Sequence, residues 1–312
     1  MSEICRSIAS RYNNTMLQKI VNVYQVQFID FKAPGFGDYL RGCFTMMQII
    51  DTLNEYCNTN VTFDMDLSNH PMSQVIVTEG RNPAVNYAAL GNFHIDVLEV
   101  KKEESDIAFQ HILGQTVDYI NKLRDGQLRE GQLLHNKTFY TFCCKFAIYK
   151  EFLPRHRELV KSKLVPTEAM ASYIAGVKES MGIRDGEYSV IHVRCGDDSS
   201  FPHSFARQID GNFIEKVKKL IAEHAPSGKY ILITNNDTLR SALNITSWNP
   251  RICHTGQDSK QSFESIRDTM TDFFIMSAAR SIVAFSPYHH GTGFSMECAK
   301  VYDIPYKVVK IA

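Results

Sequence analysis

From residue 188 to residue 311, short apolar runs alternate with segments whose apolar residues recur every three or four positions. The runs 188–193, 229–234, 281–285 and 306–311 are rich in β-branched and aromatic residues and too short for helices, so they read as strands. The stretches 211–223, 236–243, 263–279 and 291–302 carry helical spacing; in 263–279, Ile266, Met270, Phe273, Phe274 and Ser277 fall to one side. Strand and helix in alternation predict a parallel sheet wrapped by helices.

The first of these strands organises the rest. Its apolar run ends at Gly196 and brings His192 and Arg194 to its C-terminal end, where open α/β sheets bind ligands. Arginine is a fixed fork of donors suited to phosphate, and a neighbouring histidine can hydrogen-bond a base or ribose. The same residues also fit an interior strand that ends in an unoccupied arginine.

The first half repeats the theme less cleanly. Residues 21–30 alternate as a strand, 33–42 form a glycine loop, 40–56 have helical spacing and 61–66 form a second strand, which together make a βαβ unit. Beyond it, 75–78, 95–100 and 138–146 read as strands, 106–123 as a helix and 124–137 as loop. The helical pattern from 152 is interrupted near Pro154, and this charged stretch to Lys163 is taken as the passage between halves. Thr167 then caps a helix that runs to about Met181.

A chain of 312 residues suits two domains, and 44% apolar with 22% charged residues is globular. Thirty-four basic and 34 acidic residues cancel, which excludes the electrostatic footprint of a general nucleic-acid binder. Residues 1–18 hold no signal-like apolar run and no segment has the length of a membrane span, so a soluble, cytoplasmic protein with reduced cysteines is expected. The Asn-x-Ser/Thr matches are then chance.

Several constellations bear on chemistry. Gly35-Phe36-Gly37-Asp38 sits between a strand and a helix, where it serves either as a tight turn or as a phosphate cradle at the helix N-terminus. Ser286 to Ser295 repeats that geometry: hydroxyls, including those of Ser286 and Thr292, and amides around Gly291 to Gly293 suit a diphosphate. His289 and His290 lack a carboxylate at ligand spacing and read as loop residues. Asp64-Met-Asp66 matches a metal-holding Asp-x-Asp only superficially, since alternating carboxylates are common at strand ends. Cys143 and Cys144 read as core, and Trp248 as packing.

Three stretches in this order resemble a family. Gly35-Phe-Gly-Asp38 entering a helix, His192-Val-Arg-Cys-Gly-Asp197, and Thr271-Asp-Phe-Phe-Ile-Met-Ser277 leading to Ala284-Phe-Ser286 are similar to the fucosyltransferases that share an His-x-Arg motif. These include α1,2-, α1,6- and protein O-fucosyltransferases, with the bacterial nodulation type nearest. The likeness runs from about residue 28 to the end.

The resemblance implies an α/β, GT-B fold of two Rossmann-like domains facing across a cleft. Residues 1–163 would form the acceptor side, with glycine loop 35–38, and 164–312 the nucleotide-sugar domain. It implies an inverting transfer of fucose from GDP-fucose to a carbohydrate or other hydroxyl acceptor, with no metal and no further cofactor. His192 would contact the nucleotide, Arg194 the β-phosphate, Asp272 the guanine and Ser286 the diphosphate, with Gly35 to Asp38 lying against it. Two departures stand out: Cys195 replaces a second arginine, and 197–202 lacks a glutamate at the spacing of a base, leaving Asp197 and Asp198 as substitutes. A GT-B transferase for another nucleotide sugar and a catalytically inert nucleotide- or carbohydrate-binding relative are the alternatives.

Overall fold

The computed structural model describes residues 3–12, 17–26, 34–88, 105–125, 134–135, 137–144, 153–195, 209–253, 255–256, 262–287 and 292–311. Two compact units divide the chain. Met1–Ser73, Val77–Leu164 and Thr255–Ser259 make one, and Gln74–Ile76, Val165–His254 and Lys260–Ala312 the other.

The first unit opens on α1 (Glu3–Ser10), whose Cys5 and Ala9 are buried four residues apart on one face. β1 (Lys19–Val23), α2 (Phe36–Cys57) and β2 (Thr62–Asp66) form the expected βαβ unit. After them come α3 (Ser105–Arg124), β3 (Leu134–His135), β4 (Thr138–Thr141) and α4 (Pro154–Lys163). The strand order is β2-β1-β4-β3, with β2, β1 and β4 parallel and β3 antiparallel to β4. α2 buries Tyr39, Leu40, Cys43, Phe44, Met47 and Ile50. Its Gly42 lies under the chain leaving β4: a Cβ there would sit 1.9 Å from the Cys143 carbonyl oxygen, so only glycine lets the helix approach. Cys143 itself is core.

Pro154 does not interrupt a helix; it starts one. It occupies the first turn of α4, where a missing N–H leaves no bond unmade. The strand expected over 75–78 reduces to one bridge, Ile76 to Pro166, after a 3₁₀ turn at Pro71–Gln74. The strand expected over 95–100 lies outside the described residues.

In the second unit the elements are α5 (Glu168–Ser180), β5 (Ser189–Val193), α6 (Gly211–His224), β6 (Tyr230–Thr234), α7 (Asp237–Leu243), α8 (Phe263–Ser277), β7 (Ile282–Ser286), α9 (Gly293–Tyr302) and β8 (Tyr306–Lys310). The sheet is parallel throughout, in the order β6-β5-β7-β8. Local signals set the helix starts: Thr167 accepts from the Met170 amide, Asp210 from that of Phe213 and Asn236 from that of Leu239, while Ser262 and Ser265 form a reciprocal capping box. Ile191, Val193 and Cys195 face a core completed by Phe213, Val217 and Ile221 of α6. Among the described residues no helix is long and apolar enough to cross a membrane.

Candidate functional site

The order β6-β5-β7-β8 contains one reversal. From β5 the chain winds outward to β6, then returns past β5 to reach β7, so a topological switch point lies between the C-terminal ends of β5 and β7. Helices leave those two ends in opposite directions, which opens a crevice that ligands of such sheets occupy. Register puts His192 opposite Ala284 and Val193 opposite Phe285, and the Arg194 amide donates to the Phe285 carbonyl at 3.0 Å. Arg194 and Ser286 are therefore neighbours at the mouth of the crevice.

Side-chain alternation assigns their faces. Since Ile191, Val193 and Cys195 point into the α6 core, His192 and Arg194 stand on the other face. His192 is buried, with Nδ1 at 2.7 Å from the Ser295 hydroxyl and 3.3 Å from that of Thr292. Both hydroxyls also lie 3.3 Å from the Tyr306 phenol. Burial, reinforced by the Arg194 charge, brings the imidazole down to about 3, so it is neutral at ordinary pH. The neutral ring carries a single N–H, and Nδ1 is the nitrogen engaged by the two hydroxyls. His192 thus pins the first turn of α9 as well as fronting the crevice.

That arrangement leaves α9 without a cap from Thr292. Thr292 is its N-cap residue, but the hydroxyl turns to His192 and Ser295, and among the described residues no side-chain cap bond reaches the first-turn amides. Orphan N–H groups and the positive end of the helix dipole are then available to an anion. The Arg194 guanidinium makes no hydrogen bond or ion pair among the described residues. Arg194, with no side-chain partner among the described residues, the neutral His192 and the start of α9 meet at one switch point, an arrangement suited to a diphosphate.

Asp272 belongs to another element of this unit. It sits within α8, 2% exposed, and its Oδ1 accepts from the Trp248 indole N–H at 2.8 Å. Burial pushes the carboxyl up to about 7, against the pull of the Trp248 bond and the Arg240 charge. No hydrogen bond joins it to His192, Arg194 or Thr292 among the described residues. Trp248 is therefore a polar partner and not packing alone, because a buried carboxylate needs a donor. One turn earlier, Asp268 is also buried and holds the Tyr173 hydroxyl at 3.0 Å, the Arg251 amide at 2.9 Å and Arg267 at 2.9 Å. Sequence reading missed Asp268; its spacing of four from Asp272 on one helical face was the available signal.

The stretch Gly35 to Asp38 proves to be the start of α2 and not a loop. Gly35 is the N-cap residue, and Phe36 and Gly37 are buried in the first turn. The Phe36 amide donates to the Thr255 hydroxyl at 2.8 Å, and the amides of Asp38 and Tyr39 bond the Gly35 carbonyl. Asp38 pairs with Arg41 at 3.3 Å. Thr255 also meets the Tyr24 phenol at 3.0 Å, and its carbonyl accepts from His70 Nε2 at 2.7 Å. The rings of Tyr39, Tyr24 and His70 stack at 4.5 Å spacings beside it. A glycine N-cap has no side chain to give, and Thr255 supplies the missing oxygen from across the chain. The corresponding switch point in this unit, between β1 and β4, is closed by Asn22, which donates to the Cys143 carbonyl and accepts from the Cys143 amide. Asp197, Asp198, His289 and His290 lie outside the described residues.

No protein-family model matches the sequence, and no curated protein matches it. Solved structures do. The fucosyltransferase NodZ from Bradyrhizobium is 12% identical over 90% of this chain and 92% of its own, with a TM-score of 0.47. A variant of Arabidopsis thaliana FUT1 in complex with GDP is 10% identical over 98% of this chain and 74% of its own, at 0.47. POFUT1 in complex with GDP is 11% identical over 99% and 79%, at 0.34. At scores this low the likeness carries no weight for function.

Proposed function

We propose that the chain is an inverting glycosyltransferase that moves fucose from GDP-fucose to a hydroxyl of a carbohydrate acceptor. The observation that carries this reading is the Arg194 guanidinium at the β5–β7 switch point, without a partner among the described residues, beside the neutral His192 and a start of α9 that Thr292 does not cap. In the transfer, the bond from the sugar's anomeric carbon to the β-phosphate oxygen breaks while a bond to the acceptor oxygen forms on the opposite face. Negative charge grows on the departing diphosphate, and Arg194 with the α9 amides stabilises it where it develops. His192 contacts the nucleotide without adding a charge. Ser286 and Thr292 border the diphosphate. The acceptor proton passes to a carboxylate, with Asp197 or Asp198 as the substitute for the glutamate that residues 197–202 lack. Asp272 reads the base, its ionised form accepting from the ring N–H and amino group of guanine. The first unit, including Gly35 to Asp38, serves the acceptor side.

Cys195 fits this scheme. Its side chain lies in the α6 core, where a second arginine would be buried among apolar residues, so Arg194 bears the phosphate charge alone. One observation favours a second reading, a transferase of the same type with another nucleotide sugar: Asp272 is buried and already engaged by Trp248.

Turnover of GDP-fucose against thermal shifts with GDP, UDP and ADP tests both. The expected result is stabilisation by GDP above the other two, together with transfer that falls about 100- to 1,000-fold in Arg194→Ala while GDP binding falls less. Unchanged transfer in folded Arg194→Ala would refute the assignment, and preferential stabilisation by UDP or ADP would select the second reading.

A further inference from the structure

Parallel sheets wound by helices bury both faces and carry apolar residues on each. The sheet of the first unit departs from this on one face. There β1 presents Lys19 and Val21, β2 presents Asp64 and Asp66, and β4 presents Thr138 and Tyr140, with Val21 in register with Asp64 on one side and Tyr140 on the other. These residues floor a cavity of about 630 Å³ whose walls are the chain from 77 to 83 and the end of α4. That volume is in the range of small-molecule sites.

The polar groups of the cavity are held in place by one another. Asp64 pairs with Lys19 at 3.1 Å and Lys163 at 2.7 Å, and Lys163 also meets Glu79 at 3.2 Å. Burial draws the Asp64 carboxyl upward, but Lys163 and Lys19 outweigh it and hold it below the usual carboxylate range. Across the floor, Tyr87 donates to Asp66 at 2.6 Å, and the Asn82 side-chain Nδ2 donates to the Tyr140 hydroxyl at 3.0 Å. The Arg81 guanidinium lies 4.7 Å over the Tyr87 ring. Lys19, Lys163 and Arg81 balance Asp64, Asp66 and Glu79, so the cavity has no net charge with which to draw an ion. What it offers instead is donors and acceptors in alternation, already oriented, beside the apolar surfaces of Tyr140 and the exposed Val77. A ligand with several neutral hydroxyls and a C–H face matches that pattern; a phosphate or an apolar molecule does not.

We propose that this cavity binds a neutral saccharide, its hydroxyls bonded to Asp64, Asp66, Lys19 and Lys163 and its C–H face against Tyr140 and Val77. Every residue belongs to the first unit, to which the proposed function assigns the carbohydrate acceptor, so the proposal rests on that acceptor reading and is separable from the nucleotide reading of the second unit.

Saturation-transfer NMR on the full chain without nucleotide tests it, with lactose, cellotriose and maltotriose as probes and inorganic phosphate followed by ³¹P line broadening. Transfer to at least one saccharide is expected, with no broadening of phosphate. Ser162 lies on the exposed rim, so Ser162→Trp should close the mouth and abolish transfer without disturbing the fold. Asp64→Asn leaves two lysines with less negative charge between them; it should weaken saccharide binding about tenfold or more and recruit phosphate. Near-ultraviolet circular dichroism reports folding in each variant. Absence of transfer to all three saccharides, transfer that survives Ser162→Trp, or phosphate binding to the unsubstituted chain would each overturn the proposal. Loss of GDP binding alone would leave it intact.

Discussion

Asp272→Asn should stabilise the protein while damaging its use of guanine nucleotide. In the folded chain the Asp272 carboxyl is raised from 3.8 to about 7 by burial, a gap that corresponds to at most about 4 kcal/mol. The sign follows from proton counting. Between those values the folded state keeps a proton that the unfolded chain has released, so stability falls as pH rises through the window, and the whole penalty is present above it. Asparagine has nearly the same shape, its carbonyl still accepts from Trp248, and it does not ionise. The variant should therefore match the parent near pH 4 and exceed it by about 2–4 kcal/mol at pH 8, read from urea unfolding at a series of pH values. Nucleotide adds a second readout. If guanine donors favour the ionised carboxyl, GDP binding at pH 7 releases about half a proton from the parent, seen as buffer-dependent binding enthalpy, and none from Asp272→Asn. A stability difference that does not change with pH would refute the buried, half-protonated carboxyl. A pH-dependent difference with no proton release would leave the burial argument standing and remove Asp272 from base recognition.

Three further outcomes are expected. Gly42→Ala places a methyl 1.9 Å from the Cys143 carbonyl, and backbone cannot yield as a side chain does, so unfolding free energy should drop by about 3 kcal/mol or more; a loss under 1 kcal/mol would contradict the close approach of α2. His192 and His70, held down to about 3 and about 4 chiefly by burial, are neutral when folded, so their contribution is intact above pH 6.5 and is lost as pH falls; His192→Gln should shift the acid-unfolding midpoint downward, and an unchanged midpoint would show that His192 is not buried neutral. Because Arg194 and backbone amides are assigned the leaving-group charge, transfer from GDP-fucose should be insensitive to EDTA. Activity abolished by EDTA and restored by a divalent cation would contradict that assignment.

Much of the second unit was legible before folding because its signals are local. Hydrophobic period separates β5, β6, β7 and β8 from the helices between them, and Thr167 announces the start of α5 through a bond to an amide only three residues on. The pairing of His192 with Arg194 at a strand end is local too, since alternation places residues two apart on one face. Tertiary structure decided what depends on distant residues. The strand order that creates the switch point brings β7 beside β5 although β6 separates them in sequence, which no periodicity encodes. The start of α2 was misread as a loop because its cap is Thr255, 219 residues away, and not the neighbouring side chain that helix-start rules look for. Trp248 and Asp272 belong to separate segments, and their bond exists only once both are packed. The polar face of the first sheet was visible as Asp64-x-Asp66, but only the fold brings Lys19 and Lys163 to that carboxylate and turns a strand-end motif into the floor of a cavity. Sequence determines what is set by neighbours a few bonds apart; long-range contact decides which polar groups are satisfied by the protein and which are left for a ligand.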